Sequence, residues 1–220
     1  VADRSNAGYA VAMLARTPEK LAALEKEIEG SKGYRCDASV PADVEKTVAA
    51  ITSDLGPIDV CIYNAGMGVF KPFDKTSFEE FESCWRTGPG GCFLFAKAIV
   101  PEMAARGRGF FGITGATASW RGAPATVAFA PAKFAVRALA QSLAKDFGPK
   151  GVHVFHCVID GIVSQPRTKA WFGSDKPEAE FLAPAAIAQH YFDIFKQPPG
   201  CWTFESNVAP ASKMADMLTI

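Results

Sequence analysis

The feature that most limits what this chain can become is an alternation of two periods. Strand-like apolar runs at 10–14, about 33–36, 60–63, 110–114 and 152–159 are each bounded by Gly, Pro or Asp. Between them lie segments of helical period. Residues 18–28 carry Leu21, Leu24 and Ile28 on one face, and residues 44–55 carry Val44, Val48, Ile51 and Leu55. Residues 77–84, 93–106 and 125–147 repeat the pattern, the last stopping at Gly148-Pro149. Strand alternating with helix predicts an α/β fold, a doubly wound parallel sheet covered on both faces. No repeat or long linker divides the 220 residues, so 1–220 is expected to form one domain. Residues 167–220, rich in Pro and aromatics, read as its C-terminal extension, packed on the sheet edge or reaching toward a partner.

Charge and apolar run length exclude two classes of partner. Lys and Arg together number 23 and Asp and Glu 23, which leaves no basic field for a phosphate backbone, so nucleic acid is not an expected partner. The longest apolar runs, such as 152–159, are strand-sized and fall short of the roughly 20 residues a helix needs to span a bilayer. Cysteines 36, 61, 84, 92, 157 and 201 form no C-x-x-C pair and sit mostly in apolar segments. They read as reduced core thiols in a reducing intracellular compartment. The opening VADRSNAGYAVAM lacks the features of a secretory leader and reads like the middle of a domain.

The alternation also lacks a beginning. A doubly wound nucleotide fold opens with a buried strand, a Gly-rich turn and a helix whose N-terminus meets a pyrophosphate. No such fingerprint precedes Tyr9, and Gly66-Met67-Gly68, which follows a later strand without a third glycine, reads as a loop pair. The absent strand would be central. Three outcomes stay open: an incomplete product, a gap filled by another chain, or a sheet closed across the gap.

Over residues 8 to about 166 the chain resembles the short-chain dehydrogenases/reductases. Asn64-Ala65-Gly66 after VCIY is similar to that family's N-A-G element, and Cys36-Asp37 to its adenine-contacting pair. The stretch KFAVRALAQSLAKDFGPKGVHV, starting at Lys133, is similar to the run from its catalytic lysine into the next strand. The resemblance implies a Rossmann-like sheet of order 3-2-1-4-5-6-7, a nicotinamide cofactor, and long helices pairing across a dimer. It implies cofactor contacts for Asp37, Asn64, Ala65, Gly66 and Lys133. Arg16, where a carboxylate would bind a ribose hydroxyl, resembles the arrangement that accepts a 2′-phosphate, hence NADP. The residues also permit plainer readings: Arg16 solvated beside Glu19, and Lys133 snorkelling from an apolar helix.

The same resemblance exposes what is missing. The family's proton-donating Tyr stands four residues before its Lys, a position held here by Phe129, and a phenyl ring has no proton to give. The family's Ser falls on Ala116, with Thr114, Thr117 and Ser119 nearby but out of register, and its Asn falls on Gly88. General acid catalysis is worth roughly 10²–10⁴ in rate and an oxyanion-type donor about 10²–10³. The expectation is therefore a chain that has stopped catalysing, with Lys133 a remnant and no cofactor held as it stands. It would serve as a structural or interaction subunit of a homo-oligomer or larger complex. Its interface would be the helices at 93–106 and 125–147, the latter along Ala125, Ala128, Ala132, Ala135, Leu139 and Leu143, or the tail from Trp171. The alternative is an NADP-dependent carbonyl reductase or alcohol dehydrogenase whose N-terminal cofactor motif lies outside this sequence. His153 and His156, at odd spacing in one strand, should face opposite ways and share no zinc.

Phe129→Tyr alone is expected not to create a carbonyl reductase, because the new hydroxyl gains Lys133 but neither a Ser donor nor an Asn relay. A coupled assay of that variant beside its parent checks this, and turnover above the parent's would show that Ala116 and Gly88 matter less than argued.

Overall fold

The computed structural model describes residues 8–172 and 176–213; residues 1–7 and the closing MADMLTI lie outside them. In chain order the main elements are β1 (Val11–Ala15), α1 (Pro18–Glu27), β2 (Ser31–Arg35), α2 (Pro41–Leu55), β3 (Val60–Tyr63), α3 (Phe78–Trp85), α4 (Gly91–Ala105) and β4 (Gly109–Thr114). There follow α5 (Phe129–Phe147), β5 (Val152–Ile159), β6 (Ile162–Val163), α6 (Pro166–Phe172), β7 (Phe181–Leu182), α7 (Pro184–Phe195) and β8 (Glu205–Val208). This is the α/β architecture that the periodicity predicts, in the Rossmann-like form that the resemblance implies. Proline at the first turn of α1 and of α2 starts each helix where a missing N–H is harmless. At α3 a capping box does so, Ser77 accepting from the Glu80 N–H and Glu80 from the Ser77 N–H.

The strands pair in parallel as β2-β1 and, separately, as β3-β4-β5-β8. That is the expected order with its central strand missing. Among the described residues the sheet does not close across the gap, because neither β1 nor β3 has a hydrogen-bonded partner on its second edge. Leu14 and Ile62, on these two strands, are among the exposed large apolar residues. A small β2-side cluster, Met13, Leu21 and Ile28, is distinct from the main core of α2, α4, α5 and the inner strands.

Several boundaries differ from the periodic reading, two of them for reasons visible in the local contacts. The segment from residue 125 turns before it winds: Ala125 has φ 63°, and Thr126 Oγ1 accepts from the Ala123 N–H, so α5 begins at Phe129. Between α3 and α4 the chain makes one wide turn over Arg86–Gly90, where Pro89 lacks an N–H to donate. Gly91 then lets α4 approach β3, since a Cβ there would collide with the Tyr63 hydroxyl and the Ala38 carbonyl. The tail supplies β8, the edge strand of the main sheet.

Of the expected helix face, Ala128 and Ala132 are buried against Cys84, Met67 and Phe81, while Leu139 and Leu143 pack on the main core and stay partly exposed. Aromatic side chains on the same group of helices are exposed: Phe78 and Trp85 on α3, Phe93 on α4 and Phe134 on α5.

Unpaired edges exchange their amide protons faster than paired ones. Deuterium exchange followed by mass spectrometry should show β1 and β3 exchanging at least about tenfold faster than β5, which lies between β4 and β8. Equal protection would mean that both edges are bonded in solution.

Candidate active site and cofactor edge

Parallel strands end together, and every residue singled out for a cofactor lies where they end. Arg16 follows β1, Asp37 lies just past β2, Asn64-Ala65-Gly66 follows β3, and Lys133 reaches the end of β4 from α5. The gap between β1 and β3 is where the strand order reverses, the place where open α/β sheets bind ligands.

At the β2 end, Asp37 Oδ1 accepts from the Ser39 N–H at 2.9 Å and the Ser39 hydroxyl at 2.6 Å. These bonds chiefly hold its carboxyl below the ordinary range, with the Arg16 and Arg35 charges adding to the effect. Arg16 therefore stands close enough to feel Asp37, and its side chain is exposed. The loop Asn64-Ala65-Gly66 is exposed as well.

At the β4 end the site becomes enclosed. Lys133 Nζ donates to the Thr114 carbonyl at 2.8 Å and lies 3.7 Å from where a Cβ on Gly66 would stand. Burial lowers its pKa to about 8, against a small opposing contribution from Cys92. Its ammonium stands 5.8 Å from the ring centre of Phe129, which in turn packs on Phe70 at 5.1 Å. An aromatic face thus sits beside the lysine where the family places a phenol. Gly88 packs on α5, with 3.4 Å between its would-be Cβ and that of Ala132.

The three hydroxyls near Ala116 have separate fates. Thr114 Oγ1 shares a 2.8 Å hydrogen bond with Tyr191 Oη. Ser119 is fully buried and its hydroxyl accepts from the Ala116 N–H at 3.1 Å, a turn-closing contact that removes it from solvent. Thr117 stays half-exposed and donates to Asp160 Oδ1 at 2.5 Å. Sequence reading passed over Asp160, whose only signal is a carboxylate closing an otherwise apolar strand.

It also passed over Glu205. This carboxylate accepts from Arg137 Nε at 2.7 Å and Nη2 at 2.9 Å, from Trp120 Nε1 at 3.3 Å, and shares a 2.9 Å bond with His156 Nδ1. Burial alone would raise the Glu205 carboxyl, but the bonds to Arg137 and His156 prevail and hold it low. His156 is fully buried and held below its ordinary pKa by that burial, despite Glu205. Its Nε2 lies against Gly115, where a Cβ would collide with it. His153 faces the other way, stacked on Trp202 and bonded to the Thr203 carbonyl, as its spacing predicts. An open apolar cleft of about 590 Å³, lined by Pro72, Phe73, Pro124, Val127 and Pro131, adjoins the start of α5.

With this geometry in place, comparison with known proteins is direct. The profile of the family described as short chain dehydrogenase matches residues 2–174. The chain belongs to that family. A short-chain dehydrogenase from Rhodopseudomonas palustris superposes with a TM-score of 0.79 at 33% identity, over 93% of this chain and 88% of that one. An alcohol dehydrogenase from Thermococcus sibiricus, solved with 5-hydroxy-NADP, gives a TM-score of 0.79 at 25% identity over 93% and 87%. A D-threitol dehydrogenase from Mycolicibacterium smegmatis is 27% identical over 170 residues, 76% of this chain and 65% of that protein. A short-chain dehydrogenase/reductase from Armillaria gallica is 34% identical over 132 residues, 58% and 50%. The chain thus spans half to two thirds of the length of these curated relatives. The relatives are named dehydrogenases and reductases, and none of these likenesses supports the expectations of catalytic inactivity or of no cofactor.

The burial of Lys133 has a measurable sign. An amine acylates only when neutral, so trace labelling with acetic anhydride should modify Lys133 half-maximally near pH 8. An exposed lysine titrates at about 10.4. A Lys133 midpoint near that value would place its ammonium in water.

Proposed function

We propose that the protein is an NADP-linked oxidoreductase that interconverts an alcohol and its carbonyl compound. The observation that carries this is the meeting of Lys133 Nζ with the Gly66 loop at the end of β4, with Arg16 and Asp37 on the same edge. These residues fit a dinucleotide. Lys133 and Asn64-Ala65-Gly66 would hold the ribose beside the nicotinamide, Asp37 the adenine, and Arg16 a 2′-phosphate. The relatives' names and the NADP analogue in the Thermococcus sibiricus enzyme support the reading. When bound, the nicotinamide supplies or accepts hydride. The chain's own part is to hold cofactor and substrate in reach of each other and to move a proton.

We also take residues 1–220 as one domain with 167–220 as its extension, supported by the pairing of β8 with β5. The exposed aromatics of α3, α4 and α5 support a homo-oligomeric contact there. Among the described residues no helix is long and apolar enough to cross a membrane.

A second reading, a non-catalytic structural or interaction subunit, is favoured by one observation: Phe129, Ala116 and Gly88 carry no polar side chain at the three places where the family has one.

Fluorescence titration of the full-length protein with NADPH and NADH tests the cofactor. NADPH is expected to bind more tightly, and Arg16→Glu to weaken NADPH about tenfold or more while changing NADH little. Equal weakening of both would refute the 2′-phosphate role. Tight NADPH binding without turnover of any alcohol or ketone would favour the second reading.

A further inference from the structure

The loop after β4 and the end of β5 bring together a hydroxyl and a carboxylate that lie 43 residues apart. Asp160 is 8% exposed, and its N–H donates to the Val208 carbonyl at 2.9 Å, which pins it where β8 pairs with β5. Thr117 opens the short turn Thr117–Ser119, whose far end is locked by the buried Ser119 hydroxyl. Thr117 Oγ1 donates to Asp160 Oδ1 at 2.5 Å, so the hydroxyl is aimed at a carboxyl oxygen with little access to water.

Position makes this pair more than a loop clamp. β4 and β5 are neighbours with Thr114 opposite Cys157, so Thr117 and Asp160 occupy the same strand-end edge as Lys133 and its Thr114 contact. Of the three hydroxyls near Ala116, Thr114 is engaged by Tyr191 and Ser119 is sealed from solvent. Thr117 is half-exposed with a proton acceptor already behind it.

We propose that Thr117 is the catalytic hydroxyl that meets the reacting oxygen of a small alcohol or its carbonyl, and that Asp160 is the proton acceptor behind it. The inference rests on the oxidoreductase reading above. In the oxidation direction the substrate O–H proton passes to Thr117 Oγ1 while the Thr117 proton passes to Asp160 Oδ1. The substrate and Thr117 O–H bonds break as those on Thr117 and Asp160 form. A bound nicotinamide would supply the acceptor for the hydride of the substrate C–H bond, and on the protein's own side Asp160 ends as a neutral carboxylic acid. In reduction the proton travels back along the same path. An isolated Thr hydroxyl is too weak an acid for this task, and the carboxylate gives its proton somewhere to go.

The test uses the full-length protein, NADP⁺ and a panel of small secondary alcohols. Thr117→Val and Asp160→Asn are each expected to lower kcat by roughly 10²–10⁴. Their NADP⁺ dissociation constants, read by protein fluorescence, should stay within about threefold of the parent's. Thr117→Ser and Asp160→Glu should each recover part of kcat, which a loss of folding would not allow. A readout without turnover is the binding of unreactive trifluoroethanol to the NADP⁺-saturated protein, expected to weaken about tenfold in Thr117→Val. Unchanged kcat in Asp160→Asn, or unchanged trifluoroethanol affinity in Thr117→Val, overturns this proposal and leaves the oxidoreductase reading standing. A folded parent that binds NADP⁺ yet neither turns over nor binds alcohol overturns both.

Discussion

The carboxylate of Glu205 is the interaction on which the rest of the site leans. A charge taken from water is tolerated only where donors replace its hydration. Here they come from α5 through Arg137, from the loop after β4 through Trp120, and from β5 through His156. Glu205 itself stands opposite His156 in the β5-β8 ladder. One side chain on the last strand therefore fixes the helix that presents Lys133, the loop that presents Thr117 and the strand that presents Asp160. The twin bonds from Arg137 set an angle as well as a distance, which a lysine at that place would not do.

Much of the architecture could be read from local pattern, because strand and helix periods are local quantities. β3 and β5 begin and end where the apolar runs do, and α1 stops one residue short of its periodic limit. The start of α5 was not legible, because the left-handed turn at Ala125 depends on a hydroxyl one residue on, a contact that alanine periodicity hides. β8 was missed for a different reason. Its residues, ESNV, alternate weakly, and they form a strand because β5 offers an edge.

The site divides along the same line. Lys133, Asn64 and Asp37 were readable because a resemblance carries them, and the fold does bring them to one edge. Thr117 with Asp160, and Arg137 with Glu205, are separated by 43 and 68 residues and belong to no motif. Only the sheet register makes them neighbours. His156 illustrates the limit: its odd spacing from His153 set the face it takes, but its partner, Glu205, lay on a strand that the pattern did not reveal.

The break between β1 and β3 leaves the candidate cofactor edge divided between two packing clusters. Arg16 stands with β1 and the small cluster of Met13, Leu21 and Ile28, whereas Lys133 stands with the main sheet. A ligand that touched both ends would act as a clamp between cooperative units, and binding to the joined form alone stabilises it by mass action. For such a protein, occupancy and integrity become one equilibrium. The concentration of its small-molecule ligand would then set how long the two parts remain a single folded body.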